Sequence, residues 1–238
     1  MLARTTGVIL AGGLGTRLKS VVADRPKVLA PVGGRPFITY LLAELERVSL
    51  PHVVLLTGHL AEQVQHTLGH WFGRMRLSYS VEEEPMGTAG AVRAALAYFE
   101  SENVLLLNGD SRCRIEWQAF ASCHEQKQAD ATLVLSRTSD AARFGLVTVN
   151  GQGRIIRFRE KESVGGHGLV NAGIYLIHRE LIETLPSTYP LSLERDVLPQ
   201  WAAARRVYGY EADGGLLDIG TPESYALAER TLPELTHS

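Results

Sequence analysis

The chain has 238 residues, 45% hydrophobic and 21% charged, an ordinary globular balance with enough length for a sizeable core. Its 24 basic and 26 acidic side chains leave a net charge of −2, which excludes a basic nucleic-acid face, so any phosphate chemistry must rest on locally placed cations. Cys113 and Cys123 make neither a disulfide framework nor a metal-site spacing. No apolar run reaches membrane-span length, and MLARTTGVILAGG lacks a signal-peptide pattern, so a soluble protein of a reducing cytoplasm is expected.

In chain order, strand-length apolar runs recur at GVIL (7–10), HVVLLT (52–57), LSYSV (77–81), NVLLLN (103–108) and ATLVLS (131–136). Helical spacing fills the gaps. Ile38, Leu41, Leu42, Leu45 and Val48 recur every three or four positions, with Pro36 suited to a first turn. Val92, Leu96 and Phe99 do the same in TAGAVRAALAYF, with Thr88 as N-cap. The alternation predicts an α/β fold with parallel strands through about residue 135. In the second half, FGLVTVNGQGRIIRFREK predicts a hairpin turning at NGQG, and LVNAGIYLI a further strand. LPSTYPLSLERDVLPQWA reads as a proline-bounded helical region and RVYGYEADGGLLDIG as strand. TPESYALAERTL predicts a helix with Thr221 as N-cap and Pro222 at its first position. Without linker, repeat or low-complexity stretch, one domain over 1–238 is expected, with halves meeting at about residue 140.

AGGLGTRL (11–18) stands where the first strand stops. Its glycines at 12, 13 and 15 miss the G-x-G-x-x-G dinucleotide spacing, and no G-K-[ST] closes it as a Walker A loop. Glycines still let backbone N–H groups approach phosphate oxygens, while Arg17 and Lys27 supply cations. AGGLGTRL followed by DRPKVLAPV resembles the signature of the sugar nucleotidyltransferases, the nucleotide-sugar pyrophosphorylases. Further motifs follow in that family's order. EEPMGTAGA (83–91) is similar to the base-recognition loop, and LLLNGDS (105–111) to the strand ending in a metal-binding aspartate. RFGLVTV (143–149), FREK (158–161) and VNAGIYL (170–176) resemble the sugar-phosphate pieces. DIGTPESY (218–225) resembles the second metal aspartate and its helix.

The resemblance implies a Rossmann-like three-layer α/β sandwich with a mixed, mostly parallel sheet, an N-terminal nucleotide half and a C-terminal sugar-phosphate half. It implies attack of a sugar 1-phosphate on the α-phosphorus of a nucleoside triphosphate, with release of pyrophosphate. A phosphate monoester, with a second pKa of about 6, is already an anionic nucleophile near neutral pH and needs no general base. By the same resemblance Leu10, Ala11, Gly12, Gly13, Gly15, Thr16, Gly87, Thr88 and Asn108 would bind the nucleotide. Arg17 would neutralise the triphosphate and the departing pyrophosphate, Lys27 would contact the α-phosphate region, and Lys161 would hold the sugar's phosphate. The Gly145 backbone, Glu160 and Asn171 would face the sugar, and Asp110 and Asp218 would hold Mg²⁺ or Mn²⁺.

Guanine presents two adjacent donors that one carboxylate can accept, so Glu82 or Glu84 points to GTP. The chain most resembles short guanylyltransferases that act on manno-heptose 1-phosphate for bacterial surface glycans, and it lacks the hexapeptide repeats of longer relatives. Lys19 departs from many relatives and bears on the subgroup alone. The alternatives are a mannose 1-phosphate guanylyltransferase, a uridylyl- or thymidylyltransferase for another sugar phosphate, and an idle nucleotide-sugar sensor. The intact set of Arg17, Lys27, Asp110, Lys161 and Asp218 opposes the sensor, and Ser111–Arg112 after Asp110 lacks the D-x-D of a glycosyltransferase. His66 and His70 lack a third ligand and read as surface or packing residues, and Trp71, Phe72 and Trp117 as core or capping aromatics. Glu194 suits either the acceptor pocket or an exposed helix start. A homodimer would accord with the resemblance, although no stretch marks an interface.

Overall fold

The computed structural model describes residues 2–13, 15–18, 20–139, 146–159 and 166–235. β1 (Thr6–Leu10) leads into the glycine loop and a short ribbon, β2 (Pro31–Val32) and β3 (Arg35–Pro36). Next come α1 (Ile38–Arg47), β4 (His52–Thr57), α2 (Ala61–Leu68), β5 (Trp71–Phe72), β6 (Met75–Val81) and α3 (Gly87–Ala94). β7 (Asn103–Asn108), β8 (Ser111–Cys113), α4 (Trp117–Gln126) and β9 (Ala131–Thr138) close the first half. The second half runs β10 (Leu146–Val149), β11 (Ile155–Arg159), β12 (Gly168–His178) and α5 (Arg179–Glu183). It ends with α6 (Leu198–Ala204), β13 (Val207–Ala212), β14 (Leu216–Asp218) and α7 (Pro222–Leu235).

β6, β4, β1 and β7 lie side by side and parallel, the arrangement expected of apolar runs buried on both faces. Val8 packs into one core and Ile9 into the other, as strand alternation requires. Helices α1, α2, α4 and α7 cover one face, and α3, α5 and α6 the other, which makes three layers. β12 is the antiparallel element that makes the sheet mixed. Its second half pairs with β7, its first residues with β10, and its far edge with β9, which in turn pairs parallel with β13.

Most sequence expectations hold. The NGQG hairpin forms, with Asn150 Oδ1 accepting from the Gln152 and Arg154 backbone N–H groups. Thr221 caps α7 by accepting from Ser224 N, and Pro222 opens the helix. Four expectations differ. Pro36 ends the β3 strand rather than entering α1, and the Thr39 hydroxyl donates back to its carbonyl at 2.7 Å. Thr88 is not a cap, because α3 begins one residue earlier and tertiary partners take its hydroxyl. Trp71, on the edge strand β5, is 62% exposed rather than core, whereas Trp117 is buried. The proline-bounded region becomes helical only at Leu193–Val197, a single π turn running into α6.

Candidate active site

From β1 the chain proceeds to β4 and β6 on one side and to β7 on the other, so the strand order reverses between β1 and β7. A crevice opens at the carboxyl ends beside such a reversal, because the loops there lead away in opposite directions. Backbone pairing continues past the strand ends into this crevice. Ala11 N donates to Leu56 O (2.8 Å), Gly109 N to Leu10 O (2.9 Å) and Glu82 N to Thr57 O (2.8 Å). The resulting cavity, about 560 Å³, suits a nucleotide-sized ligand.

Its lining includes Leu10, Gly12 and Gly13 from the first loop, Glu82, Glu84, Gly87 and Thr88 from the second, and Asn108 and Asp110 from the end of β7. Ala11 is buried behind the loop, Gly15 lies against the Lys27 side chain, and Thr16 and Arg17 sit exposed in the following turn. A Cβ on Gly12 would stand 2.8 Å from Glu82 Oε1, so a larger residue there would push the carboxylate aside. Glu82 Oε2 accepts from Met86 N at 2.9 Å, which ties the second loop closed, and burial pushes the carboxyl above its usual range. Glu84 is more exposed than Glu82. His59, Gly58 and Gly109 also line the cavity. They escaped the sequence reading although His59 and Gly58 follow β4 directly, where carboxyl-end residues line such crevices.

Asp110 connects this cavity to the second half. Its Oδ2 accepts from Lys27 Nζ at 2.5 Å, its Oδ1 from Ser111 Oγ at 3.0 Å, and its carbonyl from Ile219 N at 2.9 Å. β14 pairs antiparallel with β8, placing Asp218 opposite Ser111 and so beside Asp110. Asp218 Oδ1 accepts from Gly220 N (2.7 Å) and Ser224 Oγ (3.1 Å), so the first turn of α7 orients the carboxylate. On the other side of β8, Arg112 makes a largely buried ion pair with Glu44 of α1 at 2.5 Å. Burial pushes the Glu44 carboxyl up, and the guanidinium pulls against that shift.

Asn171 lies on β12 outside the cavity lining, with its Nδ2 donating to Tyr175 Oη at 2.8 Å. Glu194 is no exposed helix start, since its carboxylate accepts from Thr88, Tyr175 and Ser192. Gly145, Glu160 and Lys161 lie outside the described residues.

Residues 6–234 match the model of the nucleotidyl transferase family. A D-glycero-alpha-D-manno-heptose 1-phosphate guanylyltransferase of Aneurinibacillus thermoaerophilus is 33% identical over 94% of this chain and 97% of its own length. A mannose-1-phosphate guanylyltransferase of Mycobacterium tuberculosis is 31% identical over 92% of this chain, and the match spans 62% of that relative. The crystal structure of HddC from Yersinia pseudotuberculosis, complexed with GMP-PN, is similar at a TM-score of 0.85 and 29% identity, covering 96% of this chain and 99% of that one. Family match and sheet reversal agree along nearly the whole length: the chain belongs to the nucleotidyl transferase family.

Proposed function

We propose that this protein transfers a guanylyl group from GTP to manno-heptose 1-phosphate, forming GDP-heptose and pyrophosphate in the cytoplasm. The observation that carries the reading is the cavity at the sheet reversal, whose lining includes the Glu82 carboxylate and Asp110, the latter paired with Lys27. Glu82 offers acceptors to the guanine N1–H and N2 amine, and the glycine loop offers backbone donors to phosphates. The similarity to a heptose guanylyltransferase over nearly the full length of both chains supports the sugar. The mannose-1-phosphate guanylyltransferase likeness favours mannose 1-phosphate as the second reading.

A sugar-phosphate oxygen forms a bond to the α-phosphorus as the bond to the β-phosphate bridging oxygen breaks, and the electron pair leaves with pyrophosphate. The work of the protein is positioning two polyanions and stabilising the charge that moves between them. In this reading Arg17 faces the triphosphate, Lys27 the α-phosphate region and Lys161 the phosphate of the sugar. Glu160, Asn171 and the Gly145 backbone select the sugar. Asp110 and Asp218 fit a divalent cation: they are hard oxygen donors, Asp218 on β14 opposite Ser111 and Asp110 in the turn just before Ser111, and Mg²⁺ usually takes only one or two carboxylates, completing its shell with waters and phosphate oxygens. When bound there, Mg²⁺ or Mn²⁺ would screen phosphate charge and favour departure of pyrophosphate.

The test is pyrophosphate release across GTP, UTP, dTTP, CTP and ATP against a panel of sugar 1-phosphates, with Mg²⁺ and with chelator. Release that is greatest with GTP and manno-heptose 1-phosphate and is abolished by chelation is expected. Preference for another pair overturns the substrate, and silence across the panel overturns the enzyme reading.

A further inference from the structure

A polar cluster beneath the cavity connects its nucleotide side to the strand that bears Asn171. The Thr88 hydroxyl donates to Glu194 Oε2 at 2.9 Å and itself accepts from Leu193 N at 2.7 Å. The other carboxylate oxygen of Glu194 accepts from Tyr175 Oη at 3.3 Å, and that phenol accepts from Asn171 Nδ2 at 2.8 Å. Asn171 is oriented a second time, because its Oδ1 accepts from Gly173 N at 3.0 Å. Tyr175 is fully buried, and desolvation reinforced by the nearby Glu194 charge pushes its hydroxyl far above the ordinary range, so it serves as a neutral donor.

The backbone is built around this cluster. β12 spends five residues, Asn171 to Tyr175, opposite three on β9, Leu135 to Leu133, which makes a bulge of the kind that re-aims side chains. Gly173 in that bulge has φ +74°, and a Cβ there would stand 2.6 Å from Asn108 Nδ2 in the cavity wall. Glu194 lies in the single π turn Leu193–Val197, a geometry that presents one side chain off the regular helical spacing. One carboxylate thus fixes both the loop that the proposed nucleotide touches and the strand residue that the proposed sugar touches.

We infer that Glu194 is a positioning residue that couples the two substrate subsites: it holds Thr88 for the nucleotide and, through Tyr175, Asn171 for the sugar phosphate. This rests on the nucleotidyl-transfer reading. It goes beyond that reading in assigning a joint role to a residue that need touch neither substrate.

The experiment compares wild type with Glu194→Ala, Glu194→Gln and Tyr175→Phe, using the substrate pair that the wild type turns over best. KM for each substrate and kcat are measured, with direct calorimetric titration of GTP in Mg²⁺ and melting temperature alongside. Tyr175→Phe should raise KM for the sugar phosphate about tenfold and leave GTP affinity within twofold. Glu194→Ala should raise KM for both substrates about tenfold, and Glu194→Gln, which keeps one acceptor, should recover part of each. A lower melting temperature with both KM values unchanged would make Glu194 a purely structural residue and overturn the inference, as would a Tyr175→Phe defect confined to GTP. Should Glu194→Ala fail to fold, Tyr175→Phe and Glu194→Gln carry the same discrimination. A wild type inactive on every pair refutes the proposed function, whereas the calorimetric comparison of Glu194→Ala or Glu194→Gln with wild type still decides the nucleotide arm.

Discussion

At the scale of single residues, the carboxylate of Glu82 faces two demands, since one oxygen holds Met86 N and the other borders Gly12 in the cavity wall. An amide oxygen can keep the first bond, but an amide cannot accept from both guanine donors. Glu82→Gln is therefore expected to raise KM for GTP tenfold or more, consistent with losing a charged hydrogen bond worth about 1.5–3 kcal/mol, and to improve the relative use of UTP. An unchanged GTP:UTP ratio in steady-state kinetics would remove Glu82 from base reading. Lys27 is nearly buried against Asp110, so Lys27→Ala strips an aspartate of its cation and, in the proposed reaction, the α-phosphate of a partner. A loss of kcat/KM of at least a hundredfold is expected, with GTP affinity in calorimetry falling much less, because the charge matters most as bonds change. Asp110 and the loop glycines were legible because they follow closely on the buried apolar strands β7 and β1, whereas Glu82 follows the half-exposed β6 and was legible from its loop motif alone. The Glu194–Thr88 contact spans 106 positions, and no periodicity in the chain announces such a partner.

At the scale of elements, the strands were the most legible, since runs such as NVLLLN have no second place to go once both faces of a sheet must be filled. Helix starts were less so. Thr88 has the side chain of an N-cap, yet Glu194 and Leu193 N compete for the same hydroxyl and win through a contact outside the helix. The pair between Glu44 on α1 and Arg112 on β8 was hidden for the same reason. It fixes the strand immediately after Asp110, so its rupture should be felt at the site. Glu44→Ala leaves a guanidinium largely buried without its partner and is expected to lower unfolding free energy by about 3 kcal/mol in urea titration, with reduced turnover. Replacing both residues with apolar side chains of similar volume should restore most of the stability, and failure to do so would mean that the pair contributes more than charge compensation.

At the scale of the whole molecule, acid should weaken the fold from the end of the sheet opposite the cavity. His124 is buried beside Thr132, and its pKa is pushed down to about 4 by burial first and by neighbouring His178 second, with Asp130 opposing. The unfolded chain binds this proton at about pH 6.5 and the folded chain only near 4, so stability present at neutral pH is lost as pH falls through that window. By pH 5 the loss is about 2 kcal/mol, and a chain of this size should melt roughly 5 °C lower. Thermal denaturation of His124→Asn across the same range should show a flatter dependence, and a parallel one would place the acid sensitivity elsewhere. The α/β class could be read from alternating elements and the three layers from the family resemblance, but the placement of β12 could not be read from the alternation, because it pairs with β7 and β9 through contacts that only the folded sheet defines. That placement also governs how the protein can be made. β7 offers one edge to β1 and the other to β12, and the residues that cover that second edge, Ile174–His178, are synthesised long after it. Until they emerge from the ribosome, an apolar strand stands at the border of a half-built sheet, open to pairing with any neighbouring chain. The first half therefore depends on the second for cover at this edge, and a chain cut short before Ile174 is expected to aggregate rather than to fold as a smaller nucleotide binder.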